Sequence, residues 1–443
     1  TAAVITRYEE VTRLDPGNHE DWITLAVLYA DVSLPAQAMN AAQRAQETAR
    51  SPAQRVSALI QIAGSLMNHG DNETALRLLD QALKHSAQAD APTGKDSAFN
   101  LTADIQIQRG DVLVRLRKPA MAAFQEAVDG KRKALELSPD DASLQYGLAL
   151  ALRQLAQNQA NEGGAEAGTA ALTQALDITG KIIAAEPETL RYRRFKASLL
   201  FQLAWREKEP NKAISFSNQV IEELTPVAAA DGNHAYTLLL LLRAYSIKGD
   251  NESELDRLQE AEESLEKARG FGETLVNADP NNLSYYAWNM SNYTSLIFLF
   301  YGNSDYQKSL DVCNHAKSMI KSIIDPLPES LKNNKLYDLS RVSYYSGLNL
   351  YELNRIDEAR AEYKVAFDTI ETLISKESNQ TIYLDRKVDI LMERARTKDP
   401  GFSWKRAVDF MIELTSAQPG AVDVAERLEE AKQNAALESE PSV

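Results

Sequence analysis

The sequence predicts an all-α protein built from a row of antiparallel helix hairpins. Apolar residues recur at positions i, i+3, i+4 and i+7 along the 443-residue chain, the spacing of amphipathic helices. Period-two alternation, the usual signature of strands, is almost absent. From Pro139 onward, prolines that follow an acidic or small polar residue recur at one or two steps of about 47 residues. Such a period indicates stacked hairpins, because one hairpin cannot bury its apolar face alone.

The best-formed units show which residues pair the two helices of a hairpin, called here helix A and helix B. In "WITLAVLYADVSLPAQAMNAAQRA" (22–45), helix A carries large residues around Ala26, and helix B repeats alanine at Ala38, Ala42 and Ala45. The spacing recurs in segments 59–83 and 346–367. Small residues let two helix backbones approach closely while large neighbours fill the remaining holes. We therefore expect each hairpin to cross at these positions.

This pattern resembles the tetratricopeptide repeat (TPR). The resemblance implies a right-handed α-solenoid of about eight or nine hairpins, and a concave face that is lined by A helices and binds a protein segment. We expect one solenoid over 1–434, closer to standard repeats in 1–140, with longer repeats of about 47 residues in 141–420 and a capping helix at 421–434. Residues 435–443 are expected to form a disordered tail.

The start of the chain points to a larger protein. The segment "YEEVTRLDP" (8–16) looks like the second half of a preceding unit. Irregular repeats with this spacing resemble those appended to bacterial signalling proteins, where they follow an effector domain. We therefore expect a C-terminal sensor or regulatory part of a signalling protein, with an upstream effector domain in the same polypeptide as one partner.

Charge and composition exclude several classes of partner. The chain has 63 acidic and 48 basic residues, and its net charge of −15 repels nucleic acid and anionic lipid. Its longest apolar runs are far shorter than the roughly 20 residues of a membrane span, so no membrane insertion is expected. The single cysteine, Cys313, falls at a helix B core position and favours a reducing, cytoplasmic location.

No sequence motif indicates catalysis or a bound cofactor. The five histidines are scattered without the i, i+3 or i+4 spacing of a metal site. The glycine-rich stretch "NEGGAEAG" (161–168) lacks the Lys-Ser/Thr of a phosphate-binding loop and is interpreted as a turn. We expect a noncatalytic protein without metal or cofactor.

The helix "LSYYAWNMSNYTSLIFLFY" (283–301) concentrates aromatic residues, and the repeat divides them between core and groove. The core stripe consists of Tyr293, Leu296, Ile297 and Phe300, whereas Tyr285, Tyr286 and Trp288 extend the helix and face a surface that the repeat does not define. Aromatic residues and arginine dominate protein-binding hot spots. Counted in the same way over several units, the predicted partner-binding groove comprises Gln202, Trp205, Tyr236, Arg243, Phe298, Tyr301, Arg341, Tyr344, Tyr345 and Tyr351.

Three alternatives remain open from the sequence. The groove residues could pack against neighbouring repeats instead of binding a partner. The solenoid could enclose an apolar small molecule or lipid as a sensor. It could also carry a catalytic centre, although no nucleophile, base and metal constellation supports that alternative.

Overall fold

The computed structural model describes residues 2–32, 34–88, 97–161, 164–230, 234–324, 327, 332–378, 380–417 and 424–439. These residues form twenty α-helices and no strand. The chain divides into two compact units, Thr1–Glu207 and Lys208–Val443. Four parts of the sequence predictions lie outside the described residues: the recurring proline Pro326, residues 162–163 of the glycine-rich stretch, residues 421–423 of the capping helix and residues 440–443 of the tail.

Unit 1 contains ten helices. They are α1 (Ala2–Leu14), α2 (His19–Asp31), α3 (Pro35–Thr48), α4 (Pro52–Asn68), α5 (Asn72–Ser86), α6 (Ala98–Arg115), α7 (Met121–Leu137), α8 (Ala142–Asn161), α9 (Ala165–Ala185) and α10 (Leu190–Arg206). Four hairpins pair α2 with α3, α4 with α5, α6 with α7 and α8 with α9.

Unit 2 also contains ten helices. They are α11 (Pro210–Ala230), α12 (Ala235–Glu254), α13 (Leu258–Ala278), α14 (Leu283–Gly302), α15 (Tyr306–Ile324), α16 (Asn333–Glu352), α17 (Ile356–Lys376), α18 (Thr381–Arg396), α19 (Trp404–Ala417) and α20 (Ala425–Ser439). Its four hairpins pair α12 with α13, α14 with α15, α16 with α17 and α18 with α19.

The all-α hairpin fold predicted from the sequence is confirmed, with eight hairpins in the described residues. Two boundaries differ from the expectation. The division between the compact units falls between α10 and α11, inside segment 188–227, which the spacing of the sequence predicts as one helix pair. Residues 435–439, expected in the tail, belong to α20 instead, because Ala431 of this helix is buried in the apolar cluster of α18 and α19, and Leu428 and Ala435 pack against that cluster.

The prolines that recur in the sequence lie in the connections between helices. Pro16, Pro139, Pro187 and Pro280 each stand in a turn before the next helix A. Asn282 then starts α14, because its side-chain oxygen accepts hydrogen bonds from the Ser284 and Tyr285 amides at 3.1 and 3.3 Å. A proline follows one hairpin and a polar N-cap begins the next. The spacing of the prolines in the sequence therefore corresponds to the spacing of the hairpins.

In several turns from helix A to helix B, one residue has a left-handed backbone conformation. Asp256, Ser304 and Asn354 have φ of 57°, 61° and 58°. In each case the next residue donates its N–H back to the helix, as Asp305 does to the Phe300 carbonyl at 2.9 Å. This is the Schellman ending of a helix. It fixes the direction in which helix B returns along helix A.

Small residues on helix A make room for large ones on helix B. A Cβ built on Gly347 would lie 2.3 Å from the ring of Tyr363, which is fully buried. A Cβ on Gly110 would likewise come within 2.5 Å of Phe124. The predicted crossing positions Ala26, Ala63 and Ala359 are also buried. These contacts confirm the tetratricopeptide-like packing expected from the repeat.

Candidate functional site

The candidate site lies on the A helices of unit 2. Helices α12, α14, α16 and α18 follow one another side by side, and α13, α15 and α17 pack behind them as B helices. We call the surface of α14, α16 and α18 that faces away from the B helices the A-helix face. It presents three of the most exposed large apolar side chains of the unit, Leu283, Phe298 and Ile382, which are 57%, 51% and 50% exposed.

The predicted division of the aromatic helix agrees with burial. Tyr293, Leu296, Ile297 and Phe300 are buried. The Tyr293 hydroxyl donates to Glu273 at 2.6 Å, which satisfies its polar end. Phe298, one helical step from this stripe, remains half exposed. Spacing within the repeat therefore separates core from surface on one helix.

An aromatic ladder crosses from α14 to α18. The rings of Phe298 and Tyr345 meet edge to face at 5.2 Å between centroids, and Tyr345 meets Tyr344 in the same way at 5.5 Å. The guanidinium of Arg386 lies 4.9 Å from the Tyr344 ring and 5.7 Å from that of Tyr345. Such contacts hold the rings in fixed positions. Phe298 is the exposed end of the ladder.

A network of ion pairs on α18 and α20 holds Arg386 beside the aromatic ladder. Arg386 pairs with Asp389 at 3.2 Å, and Arg427 of α20 reaches Asp389 at 2.8 Å and Asp385 at 2.7 Å. Arg386 was not among the predicted groove residues. Its helix, α18, shows few of the repeat's signature residues, so the sequence offers little to fix its rotation.

Not all predicted groove residues are available to a partner. Tyr344 packs between Arg386 and Tyr363, and burial raises the pKa of its hydroxyl. Tyr351 packs against the cluster around Leu310 and Tyr363. Tyr301 is half buried against Tyr306, with 5.4 Å between their ring centroids. Tyr301 and Tyr344 each contact a ring on helix B of their own hairpin, and Tyr351 lies in a cluster with residues of α15 and α17.

The groove residues predicted on α12 form a separate group. Arg243 stacks over the Trp288 ring at 4.9 Å and donates to the Ser284 hydroxyl at 3.4 Å. Tyr236, near the start of α12, is 38% exposed. Trp288 and Tyr285 also pack against the leucine-rich core of α12. The extended aromatic helix therefore uses these two residues to bind the preceding hairpin.

The two remaining predicted residues belong to unit 1. Trp205, on α10, is 63% exposed and its ring lies 6.5 Å from that of Phe201. Gln202 accepts a hydrogen bond from Arg206 at 3.2 Å. Both lie in the last helix of unit 1 and are not part of the A-helix face defined in unit 2.

A cavity of about 370 Å³ opens between α14 and α16, and most of its charged lining was missed in the sequence. The predicted groove residue Arg341 lines it, together with Leu283, Tyr286, Met290, Lys335 and Asp338. Tyr286 donates its hydroxyl proton to Asp338 at 3.0 Å, and Arg341 pairs with the same carboxylate at 2.9 Å. Lys335 lies over the Tyr286 ring, with its ammonium 4.3 Å from the centroid.

The sequence contained a signal for part of this cavity. Asn334, Asp338, Arg341 and Tyr345 are spaced by four, three and four residues, so they continue one helical stripe. The prediction began that stripe at Arg341. Extending it towards the start of α16 finds Asp338 and Asn334, but Lys335 lies one residue off the stripe.

Burial changes the acid–base behaviour of this cavity. It raises the pKa of the Asp338 carboxyl, an effect that Arg341 and the Tyr286 hydroxyl oppose. Burial lowers the pKa of the Lys335 ammonium, and the charge of Asp338 opposes that shift. Both shifts are expected where charged groups leave water.

Unit 1 has a larger and more aliphatic cavity on its own A helices. It encloses about 560 Å³ between α4, α6 and α8, with Ile60, Ile107 and Leu150 in its lining. Lys131 reaches it from α7, pairs with Asp104 and donates to the Asn100 amide oxygen at 2.7 Å. In this cavity the cation, Lys131, is already paired with the carboxylate of Asp104.

Three further features bear on metal binding, membrane insertion and thiol chemistry. The described residues contain no group of three or more His, Cys, Asp and Glu side chains that could hold a metal. None of the helices in the described part of the chain is long and apolar enough to cross a membrane. Cys313 is buried, as predicted, and burial raises the pKa of its thiol to about 12.

The paired helices and their small-residue crossings give this chain a tetratricopeptide-like helical-repeat fold. No family model and no curated protein matches the sequence. Similar solved structures include the nuclear import adaptor Nro1 of S. pombe, at 18% identity and a TM-score of 0.46 over 67% of this chain and 98% of that chain. Yeast Tom70 matches at 13% identity and a TM-score of 0.37 over 98% and 91% of the two chains.

A third similar structure is YrrB, described as a TPR protein with an unusual peptide-binding site. It is 16% identical with a TM-score of 0.27, over 52% of this chain and 95% of its own. At these identities the likeness concerns the fold.

Proposed function

We propose that this chain is a noncatalytic scaffold that binds a segment of a partner protein on the A-helix face of unit 2. The observation that carries the proposal is the aromatic ladder, which ends in the half-exposed Phe298. A large apolar ring that is fixed by its neighbours and open to solvent binds a partner with little loss of side-chain entropy.

Two further exposed apolar groups support this choice of surface. Leu283 lies beside the cavity between α14 and α16, and Ile382 lies beside a second cavity of about 370 Å³ between α16 and α18. Asn334 and Asp338 line both cavities. Apolar anchors around a polar centre are typical of a surface that fixes both the position and the direction of a bound segment.

The wider context stays a prediction from the sequence. A signalling role, an upstream effector domain and a cytoplasmic location are compatible with the proposal, and none of them is needed for the face to bind a partner. The experiment can therefore be made with this chain by itself.

The test uses peptides selected from a displayed random library on the wild-type protein. Binding of the selected peptides is then measured for Phe298→Ala combined with Ile382→Ala. Because both side chains are about half exposed, the fold should be retained, and circular dichroism checks this. We expect at least a tenfold loss of affinity, since each anchor removes roughly 1–2 kcal/mol of binding free energy.

Val365→Ala is the matched control. Val365 is 42% exposed on the B helix α17, so its truncation removes exposed apolar surface from another face. Undiminished binding by the double variant, or an equal loss with the control, would overturn the proposal. Tyr344→Ala is a poor test, because that ring is packed under Arg386.

A further inference from the structure

Glu393 is a buried carboxylic acid in the last turn of α18. The residue is 6% exposed, and its two oxygens differ in their contacts. Oε1 accepts a hydrogen bond from Arg396 at 2.7 Å, whereas Oε2 is buried and has no hydrogen-bond partner in the described part of the chain. A carboxylate that leaves water needs hydrogen bonds to its oxygens, so the ionised form of Glu393 is disfavoured at this position.

The cation that pairs with Glu393 is shared with a second carboxylate. Arg396 also donates to Glu430 of α20, at 2.8 Å. The carboxylates of Asp389 on α18 and Glu352 on α16 repel a negative charge on Glu393 as well. The last turn of a helix is, in addition, the end at which the macrodipole disfavours an anion. Charge therefore acts in the same direction as burial and favours the neutral acid.

The other groups that face Glu393 come from the hairpins before it. Tyr344 of α16 and Tyr363 of α17 contact each other at 6.1 Å between ring centroids, and the charge of Glu393 acts on both and on Tyr301 of α14. The Tyr363 hydroxyl is buried and also lacks a hydrogen-bond partner among the described residues. Arg360 of α17 donates to the first carbonyl after α18, at 2.9 Å. Two unpaired polar groups and one shared cation thus lie where α18 packs against α16 and α17.

We propose that Glu393 makes the packing of α18 against α16 and α17 depend on pH. The neutral acid brings no charge into this contact, so the helices pack tightly. The carboxylate places an incompletely paired charge beside the rings of Tyr344 and Tyr363, so the contact loosens. Helix α20 is affected as well, because Arg396 links α18 to Glu430. The inference concerns the closing helices of unit 2 and does not depend on the proposed function.

The direction of the pH dependence follows from the ionisation of Glu393. Burial raises the pKa of its carboxyl from 4.5 to about 7, the charge of Arg396 opposes this shift, and the neighbouring carboxylates add to it. Because the folded pKa lies above the unfolded one, proton uptake stabilises the fold. This stabilisation is complete below the unfolded pKa and is lost as pH rises through the folded pKa. The tight contact is therefore expected at mildly acidic pH, and the loosened contact at neutral to alkaline pH.

Hydrogen exchange of the full chain, followed by mass spectrometry, tests this dependence. Glu393→Gln keeps the shape of the side chain and removes its titration. At each pH from 5 to 8, the exchange rates of amides in α18 are divided by those of the variant, which cancels the intrinsic effect of pH on exchange. We expect the ratio of wild type to variant to rise by at least about tenfold from pH 5 to pH 8, since opening returns Glu393 to water.

Glu358→Gln is the matched control. Glu358 also accepts a hydrogen bond from an arginine three residues away, Arg355, at 2.7 Å, but its side chain is 59% exposed. The hydrogen bond from Arg355 lowers the pKa of Glu358, so the corresponding ratio for amides in α17 should not rise with pH. A ratio in α18 that stays constant with pH, or an equal rise with the control, would overturn the inference.

Infrared difference spectroscopy follows the proton itself. The wild type at pH 6 should show the C=O stretch of a protonated carboxyl group that Glu393→Gln lacks, and this band should disappear by pH 8. Its absence at pH 6 would refute a neutral Glu393. Glu393→Met removes the charge without adding a buried amide, so it replaces the glutamine variant in both measurements if circular dichroism shows that the latter does not fold.

Discussion

Each unit contains a buried lysine, and the two lysines differ in whether they form an ion pair. Lys131 in unit 1 is 4% exposed, pairs with Asp104 and donates to Asn100, and Gly147 leaves the space through which its stem passes. Lys335 in unit 2 is 1% exposed and lies over the Tyr286 ring; within the described residues its ammonium forms no ion pair, although the charge of Asp338 acts on it. A paired buried cation stabilises the contact between helices, whereas an unpaired one lowers the stability of the fold.

The largest expected effect tests this difference directly. Lys131→Met should lower the free energy of unfolding by about 3 kcal/mol, because it leaves Asp104 and Asn100 without their cation. Lys335→Met should raise it by about 1 kcal/mol, because an unpaired buried charge is removed. Urea denaturation followed by circular dichroism measures both. Changes of the same sign would end the distinction between the two lysines.

The glycines beside these contacts sharpen the comparison. A Cβ at Gly347 would lie 2.3 Å from the rigid Tyr363 ring, whereas a Cβ at Gly147 would lie 3.0 Å from the flexible end of Lys131. We expect Gly347→Ala to cost about 2 kcal/mol, by overpacking, and Gly147→Ala to cost less.

Gly270→Ala on α13 is the control for this pair. Its Cβ would meet nothing within 4 Å, so it should stabilise the protein by about 0.5–1 kcal/mol through helix propensity alone. Thermal unfolding ranks the three variants. If Gly347→Ala also stabilised the protein, the close contact between Gly347 and the Tyr363 ring would be contradicted.

Two hairpin turns, one from each unit, place different residue types in the left-handed conformation. The turn between α4 and α5 places Gly70 at φ 85°, whereas the turn between α14 and α15 places Ser304 at φ 61°. Ser304→Gly should therefore add about 1 kcal/mol to the free energy of unfolding, since glycine adopts this conformation without a Cβ clash. Gly70→Ala should lose a similar amount. Urea denaturation midpoints compare the two, and a loss on Ser304→Gly would contradict the assignment of strain.

The smallest effect is the pH dependence that Lys335 contributes. Its native pKa lies below its ordinary value, so the penalty for burying the ammonium is present below the native pKa and absent above the unfolded one. As pH rises through this window, the wild type should gain stability relative to Lys335→Met. Denaturation of both proteins at several pH values from neutral to alkaline gives the difference. A constant difference would show that Lys335 is not desolvated in the folded protein.

Individual residues show how far the sequence predicts the site. Tyr293 and Phe300 are assigned to the core, and Phe298 to the surface, because they occupy defined positions in the repeat. Arg341 and Tyr345 lie on the A-helix face for the same reason. Tyr344 and Tyr351 were predicted in the groove but are packed: Tyr344 lies between Tyr363 and Arg386, and Tyr351 lies in the cluster around Leu310 and Tyr363. These contacts come from other helices, and spacing within one helix does not predict them.

The sequence by itself determined the helices, their hairpin pairing and the small residues at the crossings, because these depend on local spacing and on the size of single side chains. The tertiary structure decided what the charged residues do. Lys131 and Lys335 are both lysines on amphipathic helices, and their sequences do not reveal which of them meets a carboxylate. That pairing depends on side chains brought together from different helices, so it appears only when the hairpins are packed.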